Sequence, residues 1–161
     1  MVLTIRTPSP TDAAALADLH VQTWRETYTH LLPENYFDEA FVQGRHEMWS
    51  RLTNTPREDL TVRLAELDGV LVGFAMSGRP LGDDPPRDRQ LYFIYVAASA
   101  HGTGAGQALL EAVLGDGPAL LWVAEQNPRA FAFYRRNGFA FDGVEQLDPG
   151  APAITDLRMV R

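Results

Sequence analysis

Cysteine does not occur anywhere in the 161 residues. Its absence removes disulfides, a thiolate nucleophile and any sulfur-ligated zinc site together. The four histidines show no ligand spacing, such as a pair four residues apart on one helix face, so no metal is expected. Long apolar runs are missing as well. No stretch approaches the eighteen or so residues of a membrane-spanning helix, and the opening MVLTIRTPSP lacks the basic head and apolar core of a secretory leader. A cytoplasmic protein without a membrane partner is expected. Basic clustering is absent too: Lys and Arg number 14 against 21 Asp and Glu, a formal net charge of −7, with no stripe to neutralise a phosphate backbone. Nucleic acid is not an expected partner. There is no internal repeat, and the only low-complexity material, the Pro, Gly and Asp mixture of residues 79–89, reads as a loop.

What is present is an ordinary globular composition, 45% hydrophobic and 22% charged, in a length that suits one domain covering residues 1–161. The most informative stretch is LYFIYVAASAHGTGAGQALLEAVL, residues 91–114. An apolar run rich in aromatic and branched residues leads into a turn with Gly102, Gly104 and Gly106 at alternate positions, then into apolar residues at helical spacing. That is a strand, a glycine loop and a helix. A helix leaves its first four N–H groups unpaired at the positive end of its dipole, and glycines let an oxygen-rich group reach the main chain. A phosphate or pyrophosphate is the expected guest. An ordinary Walker loop is excluded, because Gln107 and Ala108 follow Gly106 where Lys and then Ser or Thr are required. A dinucleotide fingerprint starting at Gly102 would want Gly or Ala in place of Gln107, and it usually opens the first strand-helix unit of its domain. A tight turn with no ligand is the competing structural reading.

Around this stretch, residues 2–6 alternate as a strand, and Ser9 caps a first helix with Pro10 in its first position. Ala13, Leu16, Ala17, His20 and Trp24 form its buried stripe, which runs to about Tyr28. His20, on that apolar face, is expected to be a satisfied core histidine. Leu31, Leu32 and Pro33 interrupt the pattern, and Pro33 is expected to begin a second helical region through Tyr36, Phe37, Phe41, Met48, Trp49 and Leu52. Trp24, Tyr28, Tyr36, Phe37 and Trp49 are expected in the core. Residues 61–67 and 70–77 alternate and are joined by Asp68 and Gly69, which predicts an antiparallel hairpin. Residues 90–97 add a strand, a helix follows through Leu109, Leu110, Val113 and Leu114, and Gly115 to Pro118 stop it. Residues 119–124 form a short buried strand, and residues 153–160 the last one.

The second informative stretch is EQNPRAFAFYRRNGF, residues 125–139. Asn127 caps a helix that Pro128 opens, Ala130, Phe133 and Tyr134 fall on adjoining turns, and Gly138 ends it. Read from composition alone, Tyr134 is a core aromatic.

Taken together, the two stretches resemble motifs A and B of the GNAT superfamily of acetyl-CoA-dependent N-acetyltransferases. Motif A, Arg or Gln, two residues, Gly, any residue, then Gly or Ala, reads His101, Gly102, Thr103, Gly104, Ala105, Gly106, with His101 as the one departure. Motif B, Asn, two residues, Ala, two residues, Phe-Tyr, three residues, Gly-Phe, is matched at Asn127, Ala130, Phe133, Tyr134, Gly138 and Phe139. The resemblance implies an α/β (α+β) fold with a mixed, mostly antiparallel central sheet flanked by helices. It implies that backbone amides from His101 to Gln107 bind the coenzyme A pyrophosphate, and that Asn127 holds the coenzyme near its pantetheine arm beside Ala130 and Phe133. It further implies that main-chain groups near Ile94 and Val96 bond the pantetheine amides where their strand diverges from its neighbour, and that Tyr134 is the general acid. The junction of the first two helices would line the acceptor pocket, so Trp24, Tyr28, Leu31 and Leu32 are candidate substrate contacts. The acceptor implied is a primary amine on a small molecule, a peptide N-terminus or a lysine, and a homodimer paired through sheets or last strands is a further implication. A non-catalytic acyl-CoA-binding regulatory domain and a nucleotide-binding module are the alternatives.

The chemistry sets its own demands. Attack of an amine on a thioester expels a thiolate whose conjugate thiol has a pKa of about 8.5, and a neutral phenol with a pKa of about 10 can supply the proton. An alkylamine with a pKa of about 10.4 must lose a proton first, at a cost of roughly 4.6 kcal/mol at neutral pH. The resemblance places a carboxylate near the start of the central strand, where this chain has Gln90. Glu26, His30 and Glu125 are the base candidates by polarity and position, with a water relay as the other route.

Overall fold

The structure is a computed structural model that describes residues 1–161. Seven strands, β1 (Leu3–Arg6), β2 (Leu60–Leu67), β3 (Val70–Gly78), β4 (Gln90–Val96), β5 (Leu120–Ala124), β6 (Ala140–Asp148) and β7 (Ala151–Val160), form one sheet in the order β1-β2-β3-β4-β5-β7-β6. Four helices, α1 (Ala13–Tyr28), α2 (Glu39–Asn54), α3 (Ala105–Leu114) and α4 (Pro128–Arg136), flank it. Every strand contact is antiparallel except β4 with β5. This is the mixed, mostly antiparallel arrangement expected above.

Local chemistry accounts for the junctions. Asp68 and Gly69 both take left-handed φ angles, 50° and 81°, which suit the twist of the β2–β3 hairpin. The Asp68 carboxylate also accepts from the Val2 N–H at 2.8 Å, pinning β1 to the hairpin. At the start of α1 the Asp12 carboxylate accepts from the Ser9 N–H at 2.7 Å, and Arg6 bridges Asp12 and Glu66 at 2.8 and 2.7 Å.

Pro33 does not open a helix. Residues 32–38 run as turns, and α2 begins six residues later at Glu39, with Asp38 as its cap accepting from the Phe41 N–H at 2.9 Å. A carboxylate that pairs with a free amide is a stronger start signal than a proline that merely tolerates the position. Leaving Tyr36 and Phe37 outside the helix lets Tyr36 stack on Trp24 at 6.3 Å, so both remain half-buried cleft-side residues and not core.

The sheet separates two cores. Leu16, Trp49, Leu64 and Phe74 pack beneath α1 and α2, while Leu91, Leu109, Leu121, Tyr134 and Met159 pack beneath α3 and α4. Arg161 fastens the second layer, donating to Gly115 O at 2.7 Å and Asn137 O at 3.1 Å, just past the ends of α3 and α4.

One irregularity decides where a ligand can enter. The parallel β4–β5 contact lasts two residue pairs, Gln90 with Leu120 and Leu91 with Leu121. Tyr92 is then the extra residue of a bulge against β3, since Ser77 faces Leu91 and Met76 faces Phe93. Beyond it β4 follows β3 and β5 follows β7. A wedge opens in the middle of the sheet.

Candidate active site

The glycine loop stands at the wide end of the wedge. Gly102 and Gly104 adopt φ of 80° and 89°, a region that a Cβ disfavours, and nothing lies within 4 Å of where either Cβ would stand. The N–H groups of Gly102, Gly104, Ala105, Gly106 and Gln107 find no acceptor in the protein. Those of His101 and Thr103 do, bonding Ala98 O at 3.2 Å and Ala100 O at 3.4 Å. Five free donors at a helix N-terminus, with open space before them, fit an anionic group of pyrophosphate chemistry. The His101 ring turns back and donates from Nε2 to Val96 O at 3.1 Å, so this side chain braces the end of β4.

Main-chain direction follows from one bond. Ala97 N–H donates to Val72 O at 2.8 Å, and alternation along an antiparallel pair then turns the polar groups of Ile94 and Val96 away from β3 and into the wedge. On the other side Asn127 caps α4, its Oδ1 accepting from Ala130 N–H at 3.2 Å. Phe133 packs on Tyr134 at 5.4 Å, and its ring lies 3.8 Å from where a Gly106 Cβ would stand. The two glycine- and tyrosine-bearing stretches are therefore in contact.

Tyr134 is 7% exposed, and its hydroxyl has no hydrogen-bond partner in the protein. Burial, with the Tyr28 phenol nearby, raises its pKa above the usual value, so it is neutral at physiological pH. Tyr134 belongs to the layer beneath α3 and α4, whereas Tyr28 packs with Ala124, Ala151 and Ile154 on the α1 side. They meet through the wedge. Tyr95 joins them, its pKa also raised by burial and by both phenols. Trp24, Leu31 and Leu32 line the α1 side half-buried, and the Trp24 Nε1 is buried without a partner.

The base candidates sit elsewhere or are occupied. Glu26 accepts from Ala98 N–H at 2.9 Å and from Gln22 at 2.8 Å, holding the turn that leads to α3. His30 and Glu125 are exposed. Gln90 is 5% exposed and accepts from Leu81 N–H at 2.8 Å, so that position anchors the loop of residues 79–89.

Sequence reasoning missed Asp156. It lies opposite Ala124 at the end of β5, on the strand face of Ile154, half-buried and without a hydrogen bond or ion pair from the protein. Burial, then the nearby Asp148 charge, pushes its carboxyl up to about 6. The available signal was an acidic residue between the apolar residues Ile154 and Leu157 of a strand. No group of three or more His, Asp or Glu side chains comes together as a metal site. No helix is long and apolar enough to cross a membrane.

Comparison with known proteins identifies the assembly. Residues 14–139 match the model of the acetyltransferase (GNAT) family. The chain belongs to the GNAT family. It is 30% identical to a probable N-acetyltransferase of Mycobacterium tuberculosis over 86% of this chain and 80% of that one. It is also 30% identical to an uncharacterized N-acetyltransferase of Bacillus subtilis over 98% and 97% of the two chains. A PaiA N-acetyltransferase from Thermoplasma acidophilum, solved with coenzyme A, shares the fold with a TM-score of 0.71 at 22% identity, covering 100% of this chain and 99% of that one. This GNAT protein is thus an acyltransferase that uses acetyl-CoA as cosubstrate. The Walker and dinucleotide readings of its glycine loop fall away.

Proposed function

We propose that the chain works as one domain, residues 1–161, that moves the acetyl group of acetyl-CoA directly to a primary amine, with Tyr134 as general acid. The observation that carries this reading is the unpartnered, neutral Tyr134 hydroxyl in the wedge, on the opposite side from the five free amides of the loop. The loop amides from Gly102 to Gln107, without that of Thr103, would hold the pyrophosphate. Ile94 and the Val96 N–H would offer main-chain groups to the pantetheine amides, the Val96 carbonyl being bonded by His101, with Asn127, Ala130 and Phe133 on the facing wall. The acceptor is a small-molecule, peptide or protein amine entering beside Trp24, Tyr28, Leu31 and Leu32, and the protein acts in the cytoplasm.

The raised pKa of Tyr134 agrees with a shuttle. Donating to a thiolate from a phenol of higher pKa is uphill taken alone, but the cationic nitrogen formed by attack returns a proton to the same oxygen. The net transfer, nitrogen to sulfur, runs downhill.

Thiol release with an amine panel tests this reading. Tyr134→Phe is expected to lower kcat about a hundredfold or more while the acetyl-CoA-induced rise in Tm, roughly 5 °C at saturating ligand, persists. An unchanged kcat removes Tyr134 from the chemistry. Because all 14 basic side chains are arginine, acetyl-lysine detection on a protein acceptor carries no background from the enzyme's own side chains. The implied homodimer would use the open edge of β6, where Phe141, Val144 and Leu147 are exposed, and sedimentation velocity separates it from the 17.9 kDa monomer.

A further inference from the structure

Asp156, on β7 near the Tyr28 phenol, is an anion that nothing in the protein neutralises. Arg158, two residues along the same face of β7, is taken by Asp142 at 2.7 Å and lies over Trp122. Asp148, at the end of β6, is the other carboxylate near Asp156; its Oδ1 accepts from Gly150 and Ala151 N–H at 2.8 and 3.0 Å. From α1 the facing titratable group is Tyr28, whose phenol lies near both aspartates. From β5 the neighbour is Ala124, and no arginine or histidine reaches Asp156 from any element packed against it. A half-buried carboxylate without a partner is costly, and that cost is tolerated where a ligand supplies the countercharge. A second observation points the same way. Tyr134, 7% exposed, brings an unpartnered hydroxyl into the space it shares with Tyr28.

We propose that Asp156 receives the acceptor: a cationic amine docks its ammonium on this carboxylate and gives it a proton before attack. The inference rests on the amine-acceptor reading above and adds the proton acceptor and the charge preference of the site. One proton passes from ammonium to Asp156, leaving the free amine. The nitrogen lone pair forms the bond to the acetyl carbon, and the carbon–sulfur bond then breaks. Sulfur takes the Tyr134 proton, and Tyr134 regains one from the acylated nitrogen. The proton on Asp156 leaves to solvent, so the sum is ammonium plus thioester giving amide, thiol and one proton. Asp148 keeps the entrance negative, which favours amines without a carboxylate beside the nitrogen. The carboxyl of Asp156, pushed up to about 6, is ionised at pH 7.5 and more basic than an ordinary aspartate.

The test compares wild type, Asp156→Asn and Asp148→Asn with phenethylamine and with phenylalanine, which adds one carboxylate to the same skeleton. The acetyl-CoA-induced Tm rise serves as the folding and donor control. Phenethylamine is expected to be the better substrate by at least tenfold, with kcat/KM falling about tenfold per pH unit below about 6. Asp156→Asn is expected to lose about a hundredfold in kcat/KM and that acidic limb, while Asp148→Asn moves the limb to lower pH by removing a like charge. An Asp156→Asn enzyme within threefold of wild type, with the limb in place, overturns the proposal. If wild type acetylates neither amine although acetyl-CoA raises Tm, the amine reading fails separately, and phenethylamine binding to the coenzyme A complex at pH 7.5, followed by NMR, decides the role of Asp156. Binding weakened at least tenfold in Asp156→Asn supports the proposal; equal binding, or none at about 10 mM, overturns it.

Discussion

Two buried polar sites lie one turn apart on α1 and differ in a way that separates structure from function. At His20, 2% exposed, the ring sits among Phe74, Phe93 and Tyr95 and accepts at Nδ1 from the Trp49 Nε1–H at 3.2 Å. Four residues on, Trp24 buries the same indole nitrogen with no partner against Tyr28, whose phenol lies near Tyr134 and Asp156, side chains that the protein also leaves unpaired. Buried polar groups in a folded chain are nearly always hydrogen-bonded. On this side the Trp24 Nε1–H breaks it, while the Tyr134 hydroxyl and the half-buried Asp156 carboxylate keep some solvent access and no protein partner, which leaves them open to a partner from outside.

The sharpest way to test that contrast is on the satisfied side. Trp49→Phe removes the donor, strands the His20 acceptor and leaves space where a fully buried indole packed on Phe74 at 5.0 Å. A loss of about 3 kcal/mol is expected, combining an unsatisfied buried group with a small cavity. Urea unfolding would show it as a lower midpoint, with KM for both substrates unchanged in the folded protein.

The same contrast has a pH signature of opposite signs. His20 is held at about 3 by burial, below its unfolded value of about 6.5, so its contribution is complete above pH 6.5 and is lost as pH falls toward 3. Asp156 runs the other way. Its folded pKa of about 6 exceeds the unfolded value of about 3.9, so stability is lost as pH rises from 4 to 6 and stays lost above. Asp156→Asn is therefore expected to be more stable than wild type at pH 8, by on the order of 1 kcal/mol after allowing for its partial exposure, and no more stable at pH 4. Thermal unfolding at the two pH values checks this, and equal gains at both would place the effect in packing.

How much of this could be read beforehand follows from range. The glycine loop, the Asn127 cap and the Asp68–Gly69 turn are local devices in which neighbouring residues carry the signal, and the structure has them where the pattern put them. Pro33 was misleading because proline permits a helix start without compelling one, and the Asp38 carboxylate won. Asp156 was invisible because its meaning depends on the β5–β7 register and on Tyr28, which lies far away in the chain. Gln90 showed only that the expected carboxylate was missing, not where another stood. The His101 departure also needed the fold, since only there does its ring reach Val96 O.

The smallest expected effect is the most discriminating. Trp24→Phe makes the change proposed for Trp49, in a ring that contacts Tyr28 at 4.9 Å and stacks on Tyr36. Here the lost Nε1–H had no partner, so the area given up is offset by removing a buried unsatisfied donor, and stability is expected to stay within about 0.5 kcal/mol of wild type. The acceptor KM is expected to rise severalfold, because the ring packs on Tyr28 and Tyr36 on the amine side of the wedge. A stability loss equal to that of Trp49→Phe, with an unchanged acceptor KM, would mean that the two indoles do the same job and that an unpaired group in this cleft does not mark a binding surface.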